Sequence, residues 1–245
     1  MEKPILFEEN NGIAVITLNR PERRNAINQE MLINLYNYLE MISKSTYIRV
    51  GILTGNGKSF CSGLDLSCIE TEDLFDPRGD GNDLPVIMSN CRKPIFGAIN
   101  GHAITGGFEL ALNCDFLIAS ENASFADTHA RVGIQPGWGM SQLLPHAVGK
   151  RMAKQMSLTC NFITAQQSLQ SGLVNEVVPH ERLMHRAYEI AEDIISVKED
   201  MVYTLKDLID RGSSVTLSEG LALERKEFFN KLKLYRKNGK FGTNK

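Results

Sequence analysis

Two glycine-bearing turns carry the residues best placed to do chemistry. Phe60-Cys61-Ser62-Gly63-Leu64-Asp65 follows one apolar run, and Thr105-Gly106-Gly107-Phe108-Glu109 follows another and opens a helical pattern. Glycine lets a backbone approach a ligand closely. The first N–H groups of a helix lack internal partners and lie at its positive end. Two such turns side by side would offer paired N–H donors to a carbonyl oxygen gaining negative charge. Ordinary strand-to-helix turns have the same pattern, and spacing alone does not separate the two.

Other candidates fail on spacing. Gly57-Lys58-Ser59 looks like the end of a phosphate-binding loop, but the residue five places before Gly57 is Ile52 where that loop needs glycine. No G-x-G-x-x-G follows the first strand, so a dinucleotide fold is unsupported. His102, His129, His146, His180 and His185 show no H-x-x-x-H spacing for zinc. Ser62 lacks the G-x-S-x-G context of a hydrolase nucleophile. The five cysteines are odd in number and form no C-x-x-C, which indicates neither a disulfide framework nor a zinc site and fits a reducing compartment.

The elements that must position the turns are legible in outline. Ile13–Leu18, Val50–Thr54, Pro94–Ile99 and Asp115–Ala119 read as buried strands. Asn28 is placed to cap a helix whose apolar residues Met31, Leu32, Leu35, Leu39 and Ile42 fall at helical spacing. Strands alternate with helices to about residue 180, an α/β pattern. Three helical stripes follow, marked by Leu183–Ile194, Val202–Ile209 and Leu217–Leu232. The segment Glu70–Asp83, rich in Asp, Glu and Gly, reads as a mobile surface loop and a candidate lid.

The chain as a whole excludes several classes of partner. A net charge of −2 provides no basic field for nucleic acid or anionic lipid. No apolar run approaches the ~20 residues of a membrane helix. Glu2, Glu8 and Glu9 argue against a signal peptide or an Arg-rich presequence, so the expectation is a cytoplasmic protein, with a processed organellar form left open.

Taken in order, the motifs resemble the enoyl-CoA hydratase/isomerase (crotonase) family. Lys58–Leu66 is similar to that family's first oxyanion segment. Asn100–Leu110 followed by Cys114-Asp115 is similar to the second. Leu18-Asn19-Arg20-Pro21 with Arg24-Asn25-Ala26, Gly133–Gly139, and Ala165 through Pro179 match further segments in the family's order. The resemblance implies a spiral of repeated ββα units over residues 1–195 and a helical C-terminal oligomerisation region over 196–245. It implies a homotrimer or dimer of trimers. It also implies an oxyanion hole from the N–H groups of Leu64 and Gly106. An acyl-CoA site would involve Arg24, Ala26, Ser62, Gly63, Leu64, Asp65, Leu66, Gly106 and Trp138. Trp138 reads more simply as a packing residue, and Arg24 equally as a solvated charge. Coenzyme A enters as part of the substrate, and no metal or redox cofactor is implied.

Hydratases of the family hold a water between two glutamates. Glu109, three residues beyond Gly106, occupies the first position, and His129 falls at the second. A neutral histidine orients a water but supplies no carboxylate. Asp127 and His129, read as alternate residues of a strand, would share one face. The leading expectation is addition of water to a 2-enoyl-CoA with Glu109 as acid/base and His129 assisting. Other acyl-CoA enolate chemistry (isomerisation, thioester hydrolysis or decarboxylation) and turnover-free CoA-ester binding remain as alternatives.

Overall fold

The computed structural model describes residues 3–238. Its N-terminal elements are β1 (Ile5–Asn10), β2 (Ile13–Leu18), α1 (Gln29–Lys44), β3 (Val50–Gly55), β4 (Ser59–Cys61), α2 (Leu84–Ser89), β5 (Ile95–Ile99) and β6 (His102–Ile104). Then come α3 (Gly106–Leu112), β7 (Leu117–Ser120), β8 (Ser124–Ala126), α4 (His129–Val132), α5 (Met140–Thr159), β9 (Ile163–Thr164), α6 (Ala165–Gln170) and β10 (Glu176–Val178). Helices α7 (Leu183–Ser196), α8 (Glu199–Ser213) and α9 (Leu217–Asn238) end the described chain. By contacts the chain divides into two units, Met1–Val197 and Lys198–Lys245.

One sheet has the order β1-β2-β3-β5-β7-β10, parallel except for the β1–β2 hairpin. A smaller sheet has the order β4-β6-β8-β9. Each passage from β3 to β4, β5 to β6 and β7 to β8 carries the chain from the large sheet to the small one, and a helix follows each pair. Because β3-β5-β7 and β4-β6-β8 run in the same order and are parallel within each sheet, successive ββα turns wind in one direction as a spiral.

The strand sequences explain why the large sheet is buried on both sides. Side chains alternate between faces. Ala14, Ile16 and Leu18 join Met31, Leu32, Leu35, Leu39 and Ile42 of α1 in one core. Ile13 and Val15 join Val50, Ile52, Phe96, Ala98 and Ile118, with Leu183, Ala187 and Ala191 of α7, in a second. Continuous apolar runs such as IAVITL are the signature of strands covered on both faces. The N-terminus of α1 is closed as expected, with Asn28 Oδ1 accepting from Met31 N–H at 3.0 Å.

One segment is held more closely than its composition suggests, and one expectation needs correction. The Glu70–Asp83 segment is anchored against α1. Leu74 is buried in the core, Glu72 accepts from Gln29 N–H at 2.7 Å, and Arg78 pairs with Glu40 and Asp80 at 2.7 Å each. Its polar composition masked one apolar and one cationic anchor. Asp127 and His129 also do not share a strand face: β8 ends at Ala126, and His129 begins α4. All five cysteines are free, and four are buried, as small apolar residues would be. Among the described residues no helix is long and apolar enough to cross a membrane.

Candidate active site

The two glycine turns meet. Gly63 has φ +97°, a conformation that costs glycine nothing. A Cβ added there would lie 3.1 Å from Ile104 O and 3.2 Å from Gly106 N. A Cβ added at Gly106 would lie 3.5 Å from Leu64 N. The N–H groups of Leu64 and Gly106 are therefore neighbours just beyond the ends of the paired strands β4 and β6 of the small sheet.

Local pairing leaves both donors free. Ile27 N–H donates to Gly63 O, and Ile27 O accepts from Asp65 N–H, each at 2.8 Å. This isolated parallel bridge uses the groups on either side of Leu64 and turns the Leu64 N–H to the opposite edge. Gly106 is the first residue of α3, so its N–H has no acceptor within the helix. Among the described residues neither N–H donates a hydrogen bond. Two adjacent unpaired N–H groups, one at a helix N-terminus, form an anion-stabilising pair.

Thr105 aims the second donor. It has φ 54° and ψ −114°, a strained conformation for a β-branched residue. Thr105 N–H donates to Ala126 O at 2.9 Å, and its hydroxyl lies 2.5 Å from that of Thr128. Sequence reasoning missed this role, since nothing in the residue type signals the conformation.

The segment from Arg20 to Ile27 braces the first turn. Asn25, fully buried, donates from Nδ2 to the carbonyls of Ser59 at 2.8 Å and Phe60 at 3.0 Å. Arg20 donates to Ala26 O at 2.6 Å and pairs with Asp65 at 3.1 Å. The Ser67 hydroxyl, against the cost of burial and together with Arg20, holds the Asp65 carboxyl below its ordinary value. Asp65 is thus occupied in supporting the turn. Arg24 is exposed, Ala26 and Ser62 are half-buried, and Arg24 O accepts from Ser62 N–H at 3.0 Å, which brings this stretch to one rim. Leu66 is exposed beside it.

Opposite the paired N–H groups lies a cavity of about 80 Å³. Leu64, Gly106, Glu109, His129, Phe75 and Trp138 line it together with Ser62, Leu66 and Thr105. Trp138 is buried as well as lining the cavity, so both readings of it hold. Phe75, from the anchored segment, was not foreseen as a wall. A Cβ at Gly137 would meet its ring at 3.3 Å.

Glu109 is buried and has one oxygen fixed. Its Oε1 accepts the N–H groups of Trp138 at 2.8 Å and Met140 at 3.1 Å. Its Oε2 lies 3.4 Å from His129 Nε2. The other ring nitrogen of His129, Nδ1, lies 2.6 Å from Asp127 Oδ1, and His129 N–H donates to the same oxygen at 3.2 Å. A turn, and not strand alternation, brings Asp127 and His129 together. Burial works against a charged His129, but hydrogen bonds and charge from Asp127 and Glu109 outweigh it and raise its pKa from 6.5 to about 9. That direction favours a charged ring between Asp127 and Glu109, where the sequence reading took a neutral, water-orienting one.

A spiral of ββα turns that sets two free N–H groups against a buried carboxylate defines a class of protein able to stabilise an oxyanion beside an acid–base group. The chain belongs to the enoyl-CoA hydratase/isomerase family, whose model matches residues 8–239. It is 44% identical over 218 residues to the probable peroxisomal enoyl-CoA hydratase 1 of Arabidopsis thaliana, covering 89% of this chain and 82% of that one. It is 37% identical over 228 residues to a short-chain-enoyl-CoA hydratase of Clostridium acetobutylicum, covering 91% and 87%. The crystal structure of enoyl-CoA hydratase from Bacillus anthracis superposes with a TM-score of 0.85 at 36% identity, covering 92% of this chain and 89% of that one.

Proposed function

We propose that this protein is an enoyl-CoA hydratase that adds water to a 2-enoyl-CoA thioester to give a 3-hydroxyacyl-CoA. The observation that carries this reading is the unpaired Leu64 and Gly106 N–H groups facing the buried Glu109 carboxylate across one small cavity. The thioester oxygen sits between the two N–H donors. As a water oxygen bonds to Cβ, Glu109 Oε2 takes its proton, and the π electrons of the double bond move into the thioester as an enolate. The donors stabilise that oxyanion more than the ground-state carbonyl, which is what lowers the barrier. Glu109 exchanges the proton of the reacting water, and His129 assists.

A water's share of liquid volume is about 30 Å³, so a cavity of about 80 Å³ suits a water and a short acyl chain. The rim formed by Arg24, Ala26, Ser62 and Leu66 suits the coenzyme A portion. No group beyond the substrate's own coenzyme A is used in this chemistry.

Within Lys198–Lys245, α8 and α9 leave Leu205, Ile209, Leu217, Leu221 and Phe228 exposed. An apolar surface of this extent supports assembly into a homotrimer or dimer of trimers. The free cysteines support a reducing compartment such as the cytoplasm. The test of function is loss of enoyl absorbance with crotonyl-CoA. Hydration with appearance of 3-hydroxybutyryl-CoA is expected, and tight binding of acyl-CoA without turnover of any enoyl ester would refute it.

A further inference from the structure

A family hydratase with two glutamates carries two carboxylates at the reacting atoms, and here the second place holds an imidazole already bonded to an aspartate. The dyad is built into the fold. Asp127 and His129 are both buried, and Asp127 Oδ1 accepts from both the ring Nδ1 at 2.6 Å and the backbone N–H of His129. Despite its burial the Asp127 carboxyl stays below its ordinary pKa, chiefly through its hydrogen bond with the His129 ring. With Nδ1 committed to Asp127, only Nε2 faces the cavity, 3.4 Å from Glu109 Oε2. The ionisable groups facing His129 are Asp127, from the segment after β8, and Glu109, from α3. Thr128, Phe75, Val132 and Trp138 line the same cavity with uncharged side chains.

We propose that Asp127 is a positioning residue that holds His129 as an imidazolium with its Nε2–H directed into the cavity, and that this Nε2–H delivers the proton to Cα. The inference rests on the hydratase reading above. The protons balance as follows. Glu109 Oε2 removes a proton from water as the C–O bond forms at Cβ. The enolate collapses, the Cα–H bond forms with the Nε2 proton, and His129 becomes neutral. Protonated Glu109 then returns its proton to Nε2 across the 3.4 Å gap, restoring both groups. Water is added overall, and base and acid are distinct residues. Two neighbouring carboxylates would instead have to share one proton to provide both forms.

An acid with a pKa of about 9 gives a basic limb near that pH, where a histidine at its ordinary 6.5 would already be neutral. The experiment follows kcat/KM for crotonyl-CoA against pH, because that ratio reports the free enzyme. The His129 ring nitrogens are titrated in parallel by ¹⁵N NMR, in the wild-type protein and in Asp127→Asn. In wild type the imidazole pKa and the basic limb should coincide near 9. In Asp127→Asn, which keeps a hydrogen-bond acceptor and removes the charge, both should fall together by roughly one pH unit or more. A wild-type mismatch of more than about one pH unit overturns the proposal without need of any variant. So does an active Asp127→Asn protein whose limb stays in place while its imidazole pKa falls, or in which neither moves. Absence of hydration at every pH would instead overturn the hydratase reading and this inference with it.

Discussion

Replacing Gly107 by alanine tests whether the two turns must stay in register. A Cβ at Gly107 would lie 2.2 Å from Cys61 O and 2.7 Å from both Cys61 C and Cβ. Two of those atoms are backbone of β4 and the third is the Cβ fixed to it, immediately before the turn that presents Leu64, so no flexible side-chain end can yield. Relief needs a separation of about 1 Å to reach ordinary contact. That separation pushes α3, which carries Gly106, away from the segment that carries Leu64. A misplacement of about 1 Å costs on the order of 10²-fold in rate, and loss of one oxyanion donor costs about 10²–10³-fold. Overpacking of this kind destabilises by about 1–3 kcal/mol. Gly101→Ala is the control. Its Cβ would lie 2.1 Å from Lys58 O, a comparable insult at the other end of the same strand pairing and away from the donors. Both variants should lose similar stability in urea unfolding. Gly107→Ala should lose about 10²-fold or more in kcat for crotonyl-CoA hydration, and Gly101→Ala less than about tenfold. A folded Gly107→Ala protein with kcat within twofold of wild type would refute the claim that the spacing of Leu64 and Gly106 sets the rate.

Three further outcomes follow from the same geometry. Asn25→Ala removes the amide donor shared by the buried carbonyls of Ser59 and Phe60, while Asn100 Nδ2 still donates to Ser59 O at 3.2 Å, and should cost about 2–4 kcal/mol in urea unfolding. Phe75→Ala removes an aromatic wall from the cavity and should raise kcat/KM for longer enoyl-CoA esters relative to crotonyl-CoA by about tenfold, read from a chain-length series. The folded-state pKa of His129 lies above its ordinary value, so its contribution to stability is complete below pH 6.5 and lost as pH rises through about 9. The thermal midpoint of wild type should therefore fall across that window more steeply than that of His129→Gln.

Much of the frame was legible because each signal was local. The apolar runs of β2, β3, β5 and β7 and the capped stripe of α1 follow from residue type and period alone. Strand β1 escaped notice because half of it is solvent-facing: Glu8, Glu9 and Asn10 are exposed, and only its pairing with β2 reveals it. The paired glycine turns could be located in sequence, but their adjacency comes from the parallel pairing of β4 with β6, strands some forty residues apart in the chain. The strained Thr105 has no sequence signal. His129 could be placed at the second acid–base position, yet its charge could not be read. That charge depends on Asp127 and Glu109 converging on the ring from separate segments. The anchored Phe75 segment was hidden by a composition that normally marks loose loops.

The central claim is that Glu109 exchanges the reacting proton while the backbone donors bind the thioester. Its most direct test is kcat for crotonyl-CoA hydration by Glu109→Gln, with the affinity for acetoacetyl-CoA, whose enolate mimics the intermediate, measured by calorimetry on the same protein. Glutamine keeps an Oε1 able to accept from Trp138 and Met140. The account predicts a loss of about 10²–10⁴-fold in kcat with ligand affinity within a few-fold of wild type. Wild-type turnover by a folded Glu109→Gln protein would contradict it.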